Sequence, residues 1–518
     1  MSITFILLWI VVLNIFHINA YKFLLYPNNM QSHLFVFSKF GAALTEKGHE
    51  IDLLVASNAH LPFSIDPFIN IIRYPVRFEK PFFDPDHGTA RISAALDALK
   101  SGYWKTLDVV RKQYEDMMTQ QHAECEDVLQ NDGLLDILHQ RGYDLMVIDN
   151  CDLECTPVVP YKLNLPIALL STDGPYWGYR IPALPSVSPH VLLPFTQPMN
   201  FFERFVNLVE FCIAELCIYC YASNDYVKRF VPERPAITSL DIFRSASLVF
   251  IRHHDLLQFP LPNLPHIVQV GDLTVEEPSM LPNEYEALFS STQRHVILFS
   301  MGSLLKQFPE DILAKFCDAF RLLEHRILVI WKSTPLSNCP SNVFARSWLP
   351  QNDLLGHSRV KLFITHCGLK SYIESAYYGT PMIGFPILMD QIGNCANMQG
   401  KGMGLTMDIT SFTPAQLADN LNKVLNATYL KNAQRISVLM HNTQSTSKER
   451  VVFWMEHVVK FGADHLRSTG FDLNIFHFFM LDILAVLVLI ILMSISCCIC
   501  CHRFKIHENT WRRKQQLK

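Results

Sequence analysis

Two histidines in this chain stand where a proton acceptor and an anion ligand would be expected. His33 follows the apolar run at 22–26 and precedes a segment of helical periodicity, and His366 follows a similar run at 361–364. The positive end of a helix dipole disfavours an imidazolium, so a histidine at such a turn stays neutral and can accept a proton. The free amides at a helix N-terminus bind phosphate oxygens. The sequence therefore predicts a general base at His33 and an anion site beside His366.

Polar side chains flanking the second histidine could bind a nucleotide and its sugar. Trp348 lies in a loop where an indole can stack on a base, and the amide of Gln351 can read the edge of that base. Glu374 falls within the helix that follows, where its carboxylate can accept hydrogen bonds from ribose hydroxyls. Asp390 and Gln391 come after another apolar run and offer acceptors and a donor for sugar hydroxyls.

Strands and helices alternate around these residues. Three strand, helix, strand units are predicted at 22–26, 34–47 and 51–55, at 295–299, 309–323 and 326–331, and at 361–364, 369–378 and 381–384. Repeated βαβ units build parallel sheets, whose ligands lie beyond the carboxyl ends of the strands. The proline-rich stretch around 260–265 is interpreted as a linker or crossover. The predicted fold class is therefore α/β, with two doubly wound domains facing each other.

The composition and the two chain ends predict the compartment. The chain has 518 residues, 49% of them hydrophobic, and a net charge of −4, which argues against nucleic acid as a partner. An uncharged apolar run predicts a signal peptide at 1–20. A second apolar stretch predicts a transmembrane helix in the lipid bilayer at 483–501, followed by a basic cytosolic tail at 502–518. These features indicate a single-pass type I membrane protein with its domains in the lumen, and the endoplasmic reticulum is the expected location.

The cysteines and one glycosylation sequon are consistent with a lumenal location. Of the 14 cysteines, Cys125 and Cys155 could form a disulfide in an oxidising lumen, although connectivity does not follow from sequence. The four cysteines between 497 and 501 are interpreted either as ordinary packing or as S-acylation sites. No spacing typical of a zinc site occurs, so no metal is expected. A glycosylation sequon begins at Asn426.

Longer motifs around these residues resemble a known family. They are WLPQNDLLGH at 348–357, FITHCG at 363–368, GTPM at 379–382 and DQ at 390–391, with SH at 32–33 and FSMGS at 299–303. With the signal peptide and the anchored tail, they make nearly the whole chain similar to the UDP-glycosyltransferases, in the branch of the animal UDP-glucuronosyltransferases. The resemblance implies the GT-B fold. Its parts would be an acceptor-binding domain at 21–275, a UDP-sugar-binding domain at 276–455 and a membrane approach at 456–482.

The resemblance also implies roles for individual residues. Asp149, at the end of a strand-like run, would accept a hydrogen bond from His33, fix its tautomer and stabilise the charge that forms on it. The family motif implies uracil contacts by Trp348 and Gln351, diphosphate contacts by Ser303, His366 and Gly368, a ribose contact by Glu374, sugar contacts by Asp390 and Gln391, and a uronate contact by Arg252.

Two residues depart from the family pattern, and a third is one of the two types that the family has at its position. Cys367 replaces the usual second glycine after the histidine, Lys370 stands where the family has asparagine, and Ser371 where it has glycine or serine. A lysine in the first turn of that helix could still neutralise phosphate charge. We therefore expect donor binding to be retained with altered affinity, and Lys370 to be a phosphate ligand.

The implied activity is an inverting transfer of glucuronic acid or glucose from a UDP-sugar to a hydroxyl of small lipophilic acceptors. His33 would act as the base, and UDP would leave into the positive end of the helix that begins at Leu369. The dipole and the cations there stabilise the leaving group, so the resemblance implies no metal and no cofactor beyond the donor substrate. The alternative is a membrane-anchored pseudoenzyme that binds the nucleotide sugar without turnover. Self-association into a homo-oligomer stays open.

An apolar segment at 200–222 has helical spacing and few charges. Two interpretations are open: the helix packs on the first domain, or it dips into the lumenal leaflet near the entrance for the acceptor.

Overall fold

The computed structural model describes residues 20–82, 84–171, 184–220, 223–260, 262–302, 308–333 and 338–516. The predicted signal peptide, apart from Ala20, lies outside the described residues, and so does Ser303. The chain forms two compact units, one extending to Leu466 and the other beginning at Arg467.

The first unit contains two parallel sheets. Among the described residues, the strands of the first sheet are β1 (Lys22–Tyr26), β2 (Glu50–Ala56), β3 (Ile69–Tyr74), β4 (Leu145–Asp149), β5 (Ile167–Ser171), β6 (Leu248–Ile251) and β7 (Ile267–Gln269). Their order across the sheet is β3-β2-β1-β4-β5-β6-β7, and every neighbouring pair is parallel. Helices cover these strands on both faces, and the apolar runs are accordingly buried, as is typical of parallel sheets.

Eight helices accompany the first sheet in the described part of the chain. They are α1 (Gln31–Thr45), α2 (Pro85–Ser101), α3 (Tyr103–Leu129), α4 (Asp132–Arg141), α5 (Val158–Leu163), α6 (Phe201–Cys220), α7 (Asp225–Phe230) and α8 (Ser239–Arg244). Local sequence explains several of their ends. The side chain of Asn131 accepts from the N–H of Leu134 and caps α4, and Gly142 ends this helix with a positive φ of 63°.

The second sheet repeats the pattern. Its described strands are β8 (His295–Ser300), β9 (Ile327–Lys332), β10 (Val343–Arg346), β11 (Val360–Thr365), β12 (Met382–Gly384) and β13 (Gly404–Thr406), in the order β10-β9-β8-β11-β12-β13. Its helices are α9 (Asn283–Ser290), α10 (Glu310–Leu322), α11 (Gln351–Gly356), α12 (Leu369–Tyr377), α13 (Gln391–Gly400), α14 (Pro414–Val424) and α15 (Ala427–His441). The predicted α/β architecture with two doubly wound sheets is confirmed.

Each sheet has one point where its strand order reverses. In the first sheet the chain runs outward from β1 to β3 and then returns to place β4 on the other side of β1. In the second sheet the same reversal separates β8 from β11. The connections diverge at these points and leave a crevice at the carboxyl ends of the strands, which is where ligands bind in open α/β sheets. The fold therefore offers two crevices, one in each half.

The last helix of the first unit returns to the first sheet. Helix α16 (Ser447–Phe461) places Val451 and Met455 in the core around β1 and β7, and Nε of Arg450 donates to the carbonyl of Gln269 at 2.8 Å. Residues from both ends of the unit therefore stabilise its N-terminal half.

Three disulfides lie within the described part of the first unit. The predicted bridge between Cys125 and Cys155 is confirmed. Two further bridges join Cys317 to Cys339 and Cys367 to Cys395. Disulfides persist in oxidising compartments, so the three bridges agree with the predicted lumenal address.

Helix α6 leaves much of its apolar surface uncovered. Phe201 is 77% exposed and Phe202 69%, and Phe205, Ile213 and Leu216 are also exposed. Its buried positions are few and include the polar side chain of Asn207, which donates to the carbonyls of Pro185 and Ser188. The helix is therefore anchored by polar contacts on one side and presents an apolar face on the other.

The second unit contains the long apolar helix of the chain. After a short helix, α17 (Ile475–Phe478), helix α18 runs from Leu481 to Gln516. In the described residues it is the one helix long and apolar enough to cross a membrane, with a mean hydropathy of 3.1 in its most apolar window. The helix contains the whole segment predicted to span the bilayer.

Candidate active site

The first crevice holds a buried pair of side chains from two adjacent strands. His33 lies in the first turn of α1, directly after β1, and Asp149 is the last residue of β4. Because β1 and β4 are neighbours in the sheet, their carboxyl ends bring the two side chains together. Nδ1 of His33 lies 2.7 Å from Oδ2 of Asp149, and both residues are at least 95% buried. The contact is a short, water-shielded hydrogen bond.

The local charges fix which way this hydrogen bond runs. Burial alone would raise the pKa of Asp149, but His33 and the hydrogen bonds from Asn28 and Cys151 outweigh it and hold this pKa below its usual range. Asp149 is therefore a carboxylate that only accepts. Nδ1 of His33 therefore donates to this carboxylate, and when the ring is neutral its lone pair is on Nε2. A histidine in this tautomer can accept a proton from a hydroxyl at Nε2.

The second crevice holds His366 between two glycines. Gly302 follows β8 with a φ of +84°, and Gly368 is the N-cap of α12. A Cβ atom at Gly302 would lie 2.7 Å from Nε2 of His366, and one at Gly368 would lie 2.6 Å from the same atom. Only glycine therefore leaves room for the imidazole at both positions. The ring sits at the N-terminus of α12, whose free amides face the crevice.

Two lysines make this crevice strongly positive. Lys332 is the last residue of β9, and Lys370 lies in the first turn of α12. Burial and the charge of Lys370 lower the pKa of Lys332 to about 8, and burial and the charge of Lys332 lower the pKa of His366 to about 4. His366 is therefore neutral at physiological pH. Positive charge beside a helix N-terminus is suited to a bound diphosphate.

The expected nucleotide contacts lie on the same side of the sheet. Trp348 is 59% exposed, and Nζ of Lys332 lies 4.4 Å from the centre of its indole ring. Glu374 is fully buried in α12, where its carboxylate accepts from Nε2 of Gln351 at 2.6 Å and lies 3.1 Å from Nζ of Lys370. A ribose hydroxyl that reaches Glu374 must therefore share this carboxylate with an amide and an ammonium.

Asp390 and Gln391, the two residues expected to bind the sugar, already form hydrogen bonds with neighbouring groups. Asp390 accepts from Nδ2 of Asn394 at 2.7 Å, and the same amide donates to the carbonyl of Cys367 at 3.1 Å. Oε1 of Gln391 accepts from the backbone N–H groups of Ile387 and Leu388. Gln391 therefore directs its carbonyl oxygen inward to hold the loop, and its amide nitrogen is the part suited to meet a sugar hydroxyl.

The side chain of Cys367 turns away from the crevice. Cys367 has a φ of +63°, a left-handed conformation that favours glycine, and its sulfur is buried in the disulfide with Cys395 of α13. A Cβ atom at Gly384 would collide with both sulfurs. The disulfide therefore packs against the position where Gly384 has no side chain. The departure from the family pattern therefore keeps the backbone conformation of the glycine and adds a link between the loop of His366 and the helix that follows Asp390.

Arg252 lies apart from the other candidate donor residues. It follows β6, two strands beyond β4, so it shares an edge of the sheet with Asp149 at a distance of about 10 Å. Its side chain is buried, and its backbone N–H donates to the carbonyl of Ser171 at 3.3 Å. The structure thus places Arg252 in the first half of the molecule, while the other described candidate donor residues lie in the second.

The two crevices face each other within the first unit. Nζ of Lys370, at the start of α12, lies 4.4 Å from the centre of the ring of Phe35, which is two residues after His33 on α1. The hydroxyl of Tyr372 donates to the carbonyl of Leu257 at 3.1 Å, and Lys39 of α1 forms an ion pair with Glu276. The N-termini of α1 and α12 are therefore neighbours, and the buried dyad lies opposite the positive crevice.

Sequence reasoning missed two residues of this site. The strand that contains Lys332 was expected to end at Trp331. Lys332 was therefore not recognised as a residue at the carboxyl edge of the sheet. Cys151 lies two residues after Asp149, and its sulfur is 3.7 Å from Nδ1 of His33. Its proximity to the dyad depends on the pairing of β1 with β4, which the sequence does not give. Its position just beyond the carboxyl end of a strand was the one available signal.

Comparisons with known proteins agree with this geometry. A family model described as "UDP-glucoronosyl and UDP-glucosyl transferase" matches residues 21–515. The 2-hydroxyacylsphingosine 1-beta-galactosyltransferase of Mus musculus is 29% identical over 478 residues, which cover 91% of this chain and 86% of that protein. UDP-glucuronosyltransferase 2A2 of Homo sapiens is 32% identical over 396 residues, which cover 73% of each protein.

A solved structure shows the same fold at low sequence identity. The spinosyn forosaminyltransferase SpnP superposes with a TM-score of 0.58 at 15% identity, covering 85% of this chain and 100% of that one. The predicted GT-B architecture is confirmed. With the family matched over almost its whole length, this chain belongs to the UDP-glucuronosyl and UDP-glucosyl transferases and is a glycosyltransferase that takes its sugar from a UDP-sugar.

Proposed function

We propose that this enzyme transfers glucuronic acid or glucose from its UDP-sugar to a hydroxyl of a small lipophilic acceptor, with inversion at the anomeric carbon and His33 as the base. The observation that carries the proposal is the buried 2.7 Å hydrogen bond between His33 and Asp149, opposite the N-terminus of α12. It holds the imidazole through Nδ1 next to a crevice suited to a nucleotide diphosphate, and the proposed base atom is Nε2.

The reaction is a single displacement. Nε2 of His33 takes the hydroxyl proton as the acceptor oxygen forms its bond to the anomeric carbon. The bond from that carbon to the UDP oxygen breaks, and its electron pair leaves with UDP. The carboxylate of Asp149 stabilises the imidazolium that forms, in a site where low polarity strengthens the interaction.

The second crevice stabilises the departing UDP. Lys332, Lys370 and the first amides of α12 offer positive charge to the diphosphate, and neutral His366 can donate one hydrogen bond to it. These groups compensate the charge of the leaving group, and the proposed mechanism uses no metal. Gly368 and Ser303 complete the proposed diphosphate contacts, with Trp348 and Gln351 for uracil, Glu374 for ribose, and Asp390 and Gln391 for the sugar.

The pseudoenzyme alternative depends on Cys367 and Lys370, the two departures from the family motif. Cys367 buries its sulfur against Cys395, and the ammonium of Lys370 pairs with Glu374 beside the crevice. Cys367 is buried, and Lys370 adds positive charge of the kind that binds a diphosphate. The enzyme is therefore the better-supported proposal.

The apolar surfaces and the disulfides support a proposal for the compartment and for the way the acceptor enters. We propose a type I topology, with α18 in the bilayer and the first unit in the lumen of the endoplasmic reticulum, where three disulfides are stable. Asn426 is exposed, as glycosylation there requires. The exposed apolar face of α6 favours the proposal that this helix touches the lumenal leaflet and admits lipophilic acceptors from it.

The test uses the purified full-length protein in detergent. Labelled UDP-glucuronic acid, UDP-glucose and UDP-galactose are each offered with a phenolic acceptor, and the linkage of the product is determined by NMR. We expect one of the first two donors to give a β-glycoside. Product with retained α configuration would contradict the single displacement, and donor binding without any product would favour the pseudoenzyme.

A further inference from the structure

The thiol of Cys151 completes a cluster of three potential metal ligands at the dyad. Its sulfur lies 3.7 Å from Nδ1 of His33, and Asp149 lies 2.7 Å from the same nitrogen. One ligand atom from each residue lies within 4.8 Å of both others. An imidazole, a carboxylate and a thiolate are the ligand types that Zn²⁺ prefers, and their two negative charges would neutralise the ion in this buried place.

The spacing suits a tetrahedral ion. Zinc–nitrogen and zinc–sulfur bonds of about 2.1 and 2.3 Å place tetrahedral ligands roughly 3.5 Å apart. The separation of 3.7 Å between sulfur and Nδ1 fits this geometry, whereas the contact between His33 and Asp149 must open by a fraction of an ångström as the metal replaces the shared proton. Asp149 also borders a small cavity of about 20 Å³, which has room for one water molecule next to the carboxylate.

We propose that His33, Asp149 and Cys151 form an inhibitory Zn²⁺ site that switches off the base. This inference rests on the proposed role of His33 for its effect on turnover. The ion bonds to Nδ1, to a carboxylate oxygen and to the thiolate, and a water molecule takes the fourth position. The thiol releases its proton to solvent, and the proton of Nδ1 is replaced by one on Nε2. An imidazole that is protonated on Nε2 cannot accept the hydroxyl proton of the acceptor, so the metal blocks the reaction without covering the donor crevice.

The test measures Zn²⁺ binding and activity separately. The full chain is used with the four cysteines between 497 and 501 replaced by alanine, since these could bind metal in the second unit. Cys151→Ala is compared with Cys212→Ala, which removes an exposed cysteine of α6. The backbone N–H of Cys151 that donates to Asp149 is kept in the variant, and the effect of Zn²⁺ is expressed as a fraction of each variant's own metal-free activity.

We expect one Zn²⁺ per chain in the Cys212→Ala control, with loss of transferase activity that a chelator restores, and at least a tenfold weaker effect of Zn²⁺ in Cys151→Ala. Co²⁺ added to the control should give a thiolate charge-transfer absorption that Cys151→Ala and Cys151→Ser lack. This absorption does not depend on turnover, so it tests the site even if the proposed reaction fails. Equal Zn²⁺ sensitivity, or equal Co²⁺ absorption, in the control and in both Cys151 variants would overturn the inference.

Discussion

The two crevices are built from the same βαβ geometry but differ in the charged groups that they hold. At the first, one histidine and one carboxylate share a hydrogen bond in a place closed to water, and the surrounding N–H groups keep the carboxylate ionised. At the second, burial and the nearby charge of Lys370 lower the pKa of Lys332. The first crevice therefore pairs its charges internally, whereas in the second Glu374 pairs with Lys370 and an entering anion would add compensation for Lys332.

This difference separates the effects expected on turnover from those on donor affinity. Groups of the first crevice act on the proton and should change kcat. Groups of the second crevice act on the UDP moiety in both the bound donor and the transition state, so their main effect should be on KM. Substitutions in the first crevice should therefore lower kcat, and substitutions in the second should raise the KM for UDP-sugar.

The largest effect after His33 itself is expected for Asp149→Asn. An amide can donate to Nδ1 and so favour the wrong tautomer, and it carries no charge to stabilise the imidazolium. We expect kcat to fall by about 10²- to 10⁴-fold, with the KM for UDP-sugar changed little. Steady-state kinetics measure this split, with the exposed Asp136→Asn on α4 as the matched control. An unchanged kcat would assign Asp149 a structural role.

A smaller effect is expected for Lys332→Met in the second crevice. Removing one charge-assisted contact to the diphosphate should raise the KM for UDP-sugar by about 10-fold or more, with a lesser change in kcat. Lys361→Met is the control, because Lys361 lies near the opposite end of β11 in the same sheet. A KM equal to that of the wild type would remove Lys332 from the donor site.

The pH dependence of donor binding gives a second measure of the same lysine. Lys332 has a pKa of about 8 in the free enzyme, and the diphosphate favours its protonated form. Affinity should therefore be greatest below pH 8, and the KM for UDP-sugar should rise as the pH increases above that value. In Lys332→Met this rise should disappear. Persistence of the rise in the variant would point to another titrating group.

The disulfide beside the donor loop should affect stability more than activity. Replacing Cys367 by glycine and Cys395 by alanine restores the family residue at 367 and opens a bridge of 28 residues, which should lower the free energy of unfolding by about 3 kcal/mol. We expect the KM for UDP-sugar to rise only a few-fold. Urea unfolding and donor titration measure both quantities, and Cys212→Ser serves as the control. A KM increase as large as that of Lys332→Met would make the bridge part of the donor site.

The smallest effect is expected on the apolar face of α6. Phe201→Ser with Phe202→Ser should raise the KM for an acceptor dissolved in the bilayer by a few-fold, and should leave the KM for a water-soluble phenol unchanged. The comparison is made in proteoliposomes, with the exposed Phe453→Ser on α16 as the control. Equal effects on both acceptors would argue against contact with the leaflet.

Much of this fold was predictable because its signals are local. Apolar runs, a turn and a helical spacing predicted the units around His33 and His366, and each histidine lies at the strand end where it was expected. A buried parallel strand needs a continuous apolar run, and an amphipathic helix needs apolar residues every three or four positions. Both patterns can be recognised from residues that are close together in the sequence.

Other features depend on pairings across the chain. That Cys367 bonds Cys395 follows from the packing of α13 on β12, and no rule of spacing selects it among 14 cysteines. Lys370 was expected to meet phosphate, and its ion pair with Glu374 within one turn of helix was overlooked. Lys332 and Cys151 approach the site only because β9 and β4 end at particular edges of their sheets.

The most direct measurement of the central claim compares His33→Gln with the wild type, with donor binding followed by calorimetry and product formation by chromatography. Glutamine keeps a polar side chain in the first turn of α1 but cannot accept the proton. The account predicts that kcat falls by about 10²- to 10⁴-fold while the Kd for UDP-sugar is unchanged, and that the exposed His60→Gln behaves as wild type. Full-rate glycoside formation by His33→Gln would contradict it.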